Sequence, residues 1–193
     1  MRPVVVLYLT GHRACLALAL LIAAITFSVA TGTTSLPLPW LAEGSIDLSI
    51  DHLLAVALLA AHVTLLTGEL ASREEAGVRS WWWVDSIGLA LFLIPPFCLA
   101  YFGDAGLLQN TLLYLAMFFL ITLVTGPDTA YPTVIVLIFI QTMLVAVVPD
   151  SELVPVFWEP APRIIGILGI LTAVAFSLAR RSVKTGNRLR LPA

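Results

Sequence analysis

The feature that most constrains this chain is a series of six long apolar runs that contain almost no ionisable side chains. The runs extend over Ala14–Gly32, Leu53–Gly68, Val84–Phe102, Leu107–Thr125, Tyr131–Val148 and Ile164–Ala179. At a rise of about 1.5 Å per residue, each run forms a helix close in length to the hydrocarbon core of a bilayer, which is about 30 Å thick. The sequence therefore predicts an all-α, polytopic membrane protein with six transmembrane helices in a single domain, residues 1–193.

The low content of charged residues excludes an ordinary water-soluble domain. Of the 193 residues, 11% are charged and 60% are hydrophobic, whereas a soluble domain carries about a quarter charged residues. The net charge of -2 also provides no basic surface of the kind that nucleic-acid binding requires. We therefore expect a lipid bilayer around the chain and no nucleic-acid partner.

The basic residues predict how the chain is threaded, because cytoplasmic loops are enriched in arginine and lysine. With a cytoplasmic N-terminus and six spans, only Arg163 of the ten basic residues lies outside. The other nine are Arg2, Arg13, Arg73, Arg79, Arg180, Arg181, Lys184, Arg188 and Arg190. The use of arginine at all but one of these positions is typical of a GC-rich bacterial genome. We expect a multi-pass protein of the bacterial inner (plasma) membrane with both termini in the cytoplasm.

Both ends of the chain are predicted to associate with the membrane surface. If Met1 to Arg13 continued the first run as one helix, that helix would be about 45 Å long, which exceeds the hydrocarbon core. This segment is therefore predicted to be an N-terminal interfacial helix, and the basic tail from Arg180 to bind anionic lipid. A second interpretation of the first run is a cleavable signal peptide, with Ser28-Val29-Ala30 as the cleavage site.

The charged segment between the second and third runs is predicted to be a short cytoplasmic helix. Glu69 and Arg73, and likewise Glu75 and Arg79, are four residues apart with the acid first, which is the favourable order on a helix. Trp81-Trp82-Trp83 follows directly, and tryptophan concentrates at the headgroup level of a bilayer. The segment is thus expected to lie against the inner face of the membrane.

One short motif in this segment resembles a protease motif. Glu74, Glu75 and Arg79 fit E-E-x-x-x-R, which is similar to the first motif of the intramembrane CAAX-type and bacteriocin-processing proteases. Those enzymes place histidines on later spans, whereas His12, His52 and His62 all precede the motif here. Motifs such as H-E-x-x-H and G-x-S-x-G are also missing. We therefore expect no enzymatic activity, and no catalytic, metal-binding or cofactor-binding residues.

The whole chain resembles, in topology, the permease subunit of type-2 ATP-binding-cassette exporters. The shared features are six spans, cytoplasmic ends, the interfacial N-terminus, the charged loop and a proline-rich outer segment over Val148 to Arg163. The resemblance implies that Glu69, Arg73, Glu74, Glu75 and Arg79 form a coupling helix that docks into a separate ATPase subunit. It also implies a homodimer or a heterodimer with a second six-span subunit. The chain has no G-x-x-x-x-G-K-[ST] loop, so ATP binding of that kind would belong to the partner.

Three other interpretations remain open at this point. The charged segment is also consistent with a solvated loop that has no partner. The whole chain is also consistent with a non-transporting membrane assembly or immunity factor that binds a partner through its helices. An intramembrane enzyme is the third.

Two polar residues, His62 and Gln141, lie near the middle of predicted spans. Polar groups in the hydrocarbon are costly and usually face the bundle. They are candidates for the lining of a substrate or proton path, and the alternative is that they form hydrogen bonds between helices. Pro95-Pro96 is expected to kink the third span. Gly126-Pro127-Asp128 and Tyr131-Pro132 are expected to form a turn, and Thr33 to His52 a solvated outer loop.

Overall fold

The described residues form six helices and one pair of short strands. The structure, a computed structural model, describes residues 13–31, 35–38, 46–66, 82–102, 105–147 and 161–189. The elements are α1 (Ala14–Thr31), β1 (Ser35–Leu38), β2 (Ile46–Ser49), α2 (Ile50–Leu66), α3 (Trp82–Tyr101), α4 (Ala105–Thr125), α5 (Pro127–Val147) and α6 (Pro162–Leu189). The predicted helical class is confirmed, and a helix occupies each of the six apolar runs.

The last helix is longer than the apolar run that predicted it. The run ends at Ala179, but α6 continues to Leu189. The ten additional residues add about 15 Å of helix. Arginine and lysine are good helix formers, and no proline interrupts this part of the chain, so the end of the apolar run is no reason for the helix to stop. The basic tail is therefore helical as far as Leu189.

The predicted outer loop over Thr33 to His52 contains regular structure. Strands β1 and β2 pair antiparallel, with Leu36 opposite Leu48 and Pro37 opposite Asp47. The alternating apolar and polar residues of Ile46–Ser49 have the period of two that a strand requires. The loop prediction is therefore wrong for these residues. Because α2 begins at Ile50, directly after β2, the strand pair adjoins the start of that helix.

Helix α4 is the central element of the bundle. It packs against α2, α3, α5 and α6, while α1 packs mainly on α2. Leu107, Tyr114, Leu115 and Phe118 of α4 are buried. They share one hydrophobic cluster with residues of α2, α5 and α6, among them Leu58, Leu59, Val134, Ala175 and Phe176. The other helices therefore pack around α4.

The outer surface of the bundle is apolar, which is the reverse of a water-soluble protein. Large apolar side chains are exposed on every helix with described side chains, for example Ile22, Phe97, Phe139 and Ile170. Where the structure describes side chains, the charged residues are Arg13, Asp128 and Arg163, and each lies exposed at a helix end. Such a surface is compatible with lipid and not with water.

Among the described residues, three helices are long and apolar enough to cross a membrane, which identifies the chain as a membrane protein. They are α1, α4 and the Pro162–Ala179 part of α6. Helices α2, α3 and α5 contribute shorter apolar stretches over Leu53–Leu65, Ser86–Tyr101 and Asp128–Gln141 within the described residues.

Helices α4 and α5 are joined by a single residue. Gly126 has a φ of 87°, a left-handed conformation that glycine adopts without strain at the end of a helix. Its N–H donates to the carbonyl of Thr122 at 3.1 Å. Pro127 then takes the first position of α5, where its missing N–H costs nothing. The predicted turn is thus correct at Gly126 but wrong at Tyr131-Pro132, because both residues lie within α5.

Helix α3 contains both prolines of the Pro95-Pro96 pair. The helix is continuous from Trp82 to Tyr101, so the pair does not end it. Pro96 is buried, which places this part of α3 against the bundle.

Candidate functional site

The charged segment that the sequence singles out lies outside the described residues. This applies to Glu69, Arg73, Glu74, Glu75 and Arg79, and also to the N-terminal segment over residues 1–12 and the outer segment over residues 148–160. The candidate site that the structure does describe is the set of polar side chains inside the bundle.

His62 is a fully buried histidine in the last third of α2. Its Nδ1 lies 2.7 Å from the carbonyl oxygen of Leu58, one turn earlier. A carbonyl only accepts, so Nδ1 carries the proton and Nε2 of the neutral ring is an acceptor. No described residue hydrogen-bonds Nε2. The ring packs edge-on against Phe92 of α3, with 5.6 Å between ring centroids. The His62 side chain therefore lies at the interface of α2 with α3.

Gln141 lies on a different part of the bundle. It is only partly buried, although its Oε1 atom is enclosed and has no hydrogen-bond partner among the described residues. Helices α2 and α5 each pack against α4, and their described residues make no extensive interface with one another. The structure therefore gives His62 and Gln141 separate surroundings, and a shared path between them stays a prediction.

The most polar part of the described interior is on α4, at residues for which the sequence predicts no site. Gln109, Asn110, Thr111 and Tyr114 are all buried. The sequence feature that could have indicated this polar interior is the row Gln109-Asn110-Thr111, with Tyr114 one turn later. The row lies near the start of the run, where polar residues normally meet the headgroups, and only the packing of four helices around α4 reveals that it is enclosed.

Asn110 and Tyr114 each have a buried polar atom without a hydrogen-bond partner among the described residues. The Thr111 hydroxyl donates to the carbonyl of Leu107 at 2.7 Å. Asn110 Oδ1 and the Tyr114 hydroxyl are buried and have no partner among the described residues. Asn110 and Tyr114 are four residues apart, so they share one face of α4. This face combines an acceptor with a group that both donates and accepts.

A threonine joins α6 to the central helix. The Thr172 hydroxyl lies 2.7 Å from the carbonyl oxygen of Leu168 in its own helix and 3.0 Å from that of Leu112 in α4. The side chain is buried. Hydrogen bonds between helices inside a membrane protein stabilise by about 0.6 kcal/mol on average and at most by about 1.7 kcal/mol.

Replacing Thr172 with valine, which keeps the shape and removes the hydroxyl, is expected to lower the free energy of unfolding by about 0.6 to 1.7 kcal/mol. The matched control is Thr133→Val on α5, because the exposed Thr133 hydroxyl donates only to Thr129 of its own helix, at 2.7 Å. Unfolding of the two variants in mixed detergent micelles provides the comparison. Equal losses would mean that the bond to Leu112 does not hold α6 against α4.

The described side chains provide no metal site. Among the described residues no group of three or more histidine, cysteine, aspartate or glutamate side chains could hold a metal ion. Cys15 and Cys98 are free and exposed on the apolar surface.

A scan against protein-family models and searches of curated proteins and of solved structures gave no match.

Proposed function

We propose that this chain is the six-span permease subunit of an ATP-driven exporter in the bacterial inner membrane. The observation that carries the proposal is a bundle that is apolar outside and has enclosed polar side chains on its central helix, Asn110 and Tyr114. Polar groups inside a membrane protein are costly, and a pathway for substrate, ions or protons is one role that accounts for their presence. An apolar core would have sufficed if the protein were only a membrane anchor.

The proposed topology assigns all six helices to spans. Three of them have the required length and apolarity within the described residues. In α2, α3 and α5 the apolar stretch within the described residues is shorter, but the apolar run in the sequence is longer than that stretch. The short Gly126 connection supports antiparallel spans for α4 and α5. With the positive residues inside, Arg13 and Asp128 lie at the cytoplasmic face and Arg163 at the outer face.

The proposed mechanism divides the work between two proteins. A separate ATPase binds ATP and closes its own dimer, and the segment from Glu69 to Arg79 transmits that movement to α2 and α3, which flank it in the chain. A second copy of this chain or a sister subunit completes the transporter. Helices α2 and α3 both pack against α4, so a shift of either helix reaches the polar interior.

The test of this proposal is co-purification in a mild detergent from cells that produce the protein at its natural level. We expect an ATPase to co-purify with the unchanged chain and to be lost from the triple variant Glu74→Arg, Glu75→Arg, Arg79→Glu. The matched control reverses three charges in the proposed outer loops: Asp104→Arg, Glu152→Arg and Glu159→Arg.

The control variant is expected to retain the ATPase. If no ATPase co-purifies with the unchanged chain, the exporter proposal is overturned, and a non-transporting assembly or immunity factor becomes the better interpretation. Release of the ATPase by both triple variants would argue against the Glu69 to Arg79 segment as the docking surface.

A further inference from the structure

The interior face of α4 contains two enclosed polar groups, one helical turn apart. Asn110 is 4% exposed and Tyr114 is 0% exposed. Residues four positions apart on a helix have Cβ atoms about 5 to 6 Å apart. Asn110 Oδ1 and the Tyr114 hydroxyl have no partner within the described part of the chain, and the two side chains share one face of α4.

Leaving such groups unsatisfied is expensive inside a membrane. A polar group that is removed from water without a hydrogen bond costs several kcal/mol. The helix does satisfy other polar groups nearby, since the hydroxyls of Thr111 and Thr122 donate to carbonyls one turn earlier at 2.7 Å. The amide oxygen of Asn110 cannot use such a carbonyl, because both are acceptors.

His62 adds another unsatisfied acceptor on a neighbouring helix. Leu58 and Leu59, one turn before His62, belong to the same cluster as Tyr114. Phe92, which contacts the His62 ring, also packs against that cluster. Asn110 Oδ1 and His62 Nε2 need donors, and the Tyr114 hydroxyl can donate or accept. No charged side chain with a described position lies inside the bundle.

We propose that the Asn110–Tyr114 face of α4 is a hydrated site inside the bundle, which takes water and other small neutral ligands that donate hydrogen bonds. Water supplies two donors, and buried waters in proteins bind polar groups that are otherwise without partners. The absence of a described charge in the interior argues against an ionic ligand, because an ion in a membrane interior needs charged or strongly coordinating partners.

The depth of the two residues defines the side from which water enters. Asn110 follows Ala105, the first residue of α4, by five positions, or about 7.5 Å, and Tyr114 follows it by nine, or about 13.5 Å. Under the proposed topology, α4 begins at the outer face, so the outer face is the nearer side for water to enter. This direction rests on the proposed function, whereas hydration of the site does not.

The test is cysteine labelling of Asn110→Cys in a chain whose Cys15 and Cys98 are replaced by alanine. The probe is a quaternary-ammonium methanethiosulfonate, which does not cross membranes and reacts with thiolate. A thiol in an apolar environment stays protonated and inert, so labelling reports water at the site. In intact cells we expect Asn110→Cys to react at least ~10-fold faster than two control variants on the same helix.

The controls are Leu115→Cys, which is buried in the apolar cluster, and Leu120→Cys, which is exposed on the outer surface of the bundle. If Asn110→Cys reacts only in inverted membrane vesicles, the hydrated site stands and the proposed threading is overturned. If it reacts no faster than the controls in either preparation, the hydrated site is overturned. Neither result depends on whether an ATPase co-purifies.

A second measurement requires no substitution and therefore applies even if Asn110→Cys does not accumulate. Hydrogen exchange of the unchanged chain in nanodiscs is expected to be faster for the amides of residues 109–114 than for those of residues 115–121. Both segments belong to α4 and are largely buried. Equally slow exchange in the two segments would overturn the hydrated site.

Discussion

Replacing Ile22 with arginine is expected to make the free energy of membrane insertion of α1 less favourable by about 2.5 to 3.5 kcal/mol. The ratio of inserted to excluded helix would then fall roughly a hundredfold. Ile22 lies at the middle of Ala14–Thr31 and is 56% exposed. If the outer surface of the bundle faces lipid, the arginine is placed at the centre of the hydrocarbon. If that surface faced water, an exposed substitution would change stability by no more than about 0.5 kcal/mol.

The measurement is an insertion assay in which glycosylation of an engineered acceptor site reports whether α1 spans the membrane of a microsome. The matched control is Val29→Arg in the same helix. Val29 is 68% exposed but only two residues from Thr31, the last residue of α1. An arginine there extends to the headgroups and costs much less. Equal insertion of the two variants would contradict the assignment of α1 as a span.

Replacing Phe118 with alanine is expected to lower the free energy of unfolding by about 3 kcal/mol, near the lower end of values for such changes in cores. Phe118 is 2% exposed on the central helix, and its ring contacts Phe119 with 5.4 Å between centroids. In lipid the loss comes from packing rather than from transfer out of water, because lipid tails are as apolar as the core. The cavity left behind loses dispersion contacts that neighbouring helices cannot restore.

Phe139→Ala provides the matched control for the Phe118 variant. Phe139 is 62% exposed on α5, so lipid chains fill the space that its ring leaves. We expect Phe139→Ala to lower the free energy of unfolding by no more than about 0.5 kcal/mol. Helix content followed by circular dichroism during titration with a denaturing detergent provides the comparison. Similar losses at the two positions would mean that α4 is not the core of the bundle.

Much of the architecture could be predicted from single residues and their spacing. Each apolar run predicted one helix, because the period and length of an apolar segment decide whether it forms a helix of membrane length. The predictions failed where local signals compete. The sequence predicts a turn at Tyr131-Pro132, but Pro127 already starts α5, and Gly126 alone separates α4 from α5. Ile46–Ser49 reads as a loop until a partner strand, Ser35–Leu38, pairs with it.

Less of the candidate site than of the architecture could be predicted from the sequence. His62 stood out because it is the titratable residue within the second run, and the structure places it fully buried. Asn110 did not stand out, because a polar residue near the start of a span normally meets headgroups, and Tyr114 was not identified either. Only the arrangement of α2, α3, α5 and α6 around α4 encloses these side chains. Enclosure is a property of the assembled bundle, so it cannot be predicted from the periodicity of residues along one helix.

The sequence by itself determined that this is a helical membrane protein and where its helices lie, because hydropathy and helix length are local properties of the chain. The tertiary structure decided which helix is central and which polar groups are enclosed with it, since both depend on contacts between residues far apart in the chain. Thr172 illustrates the difference. Its hydroxyl is an ordinary feature of α6 until Leu112, sixty residues earlier, presents a carbonyl oxygen at 3.0 Å.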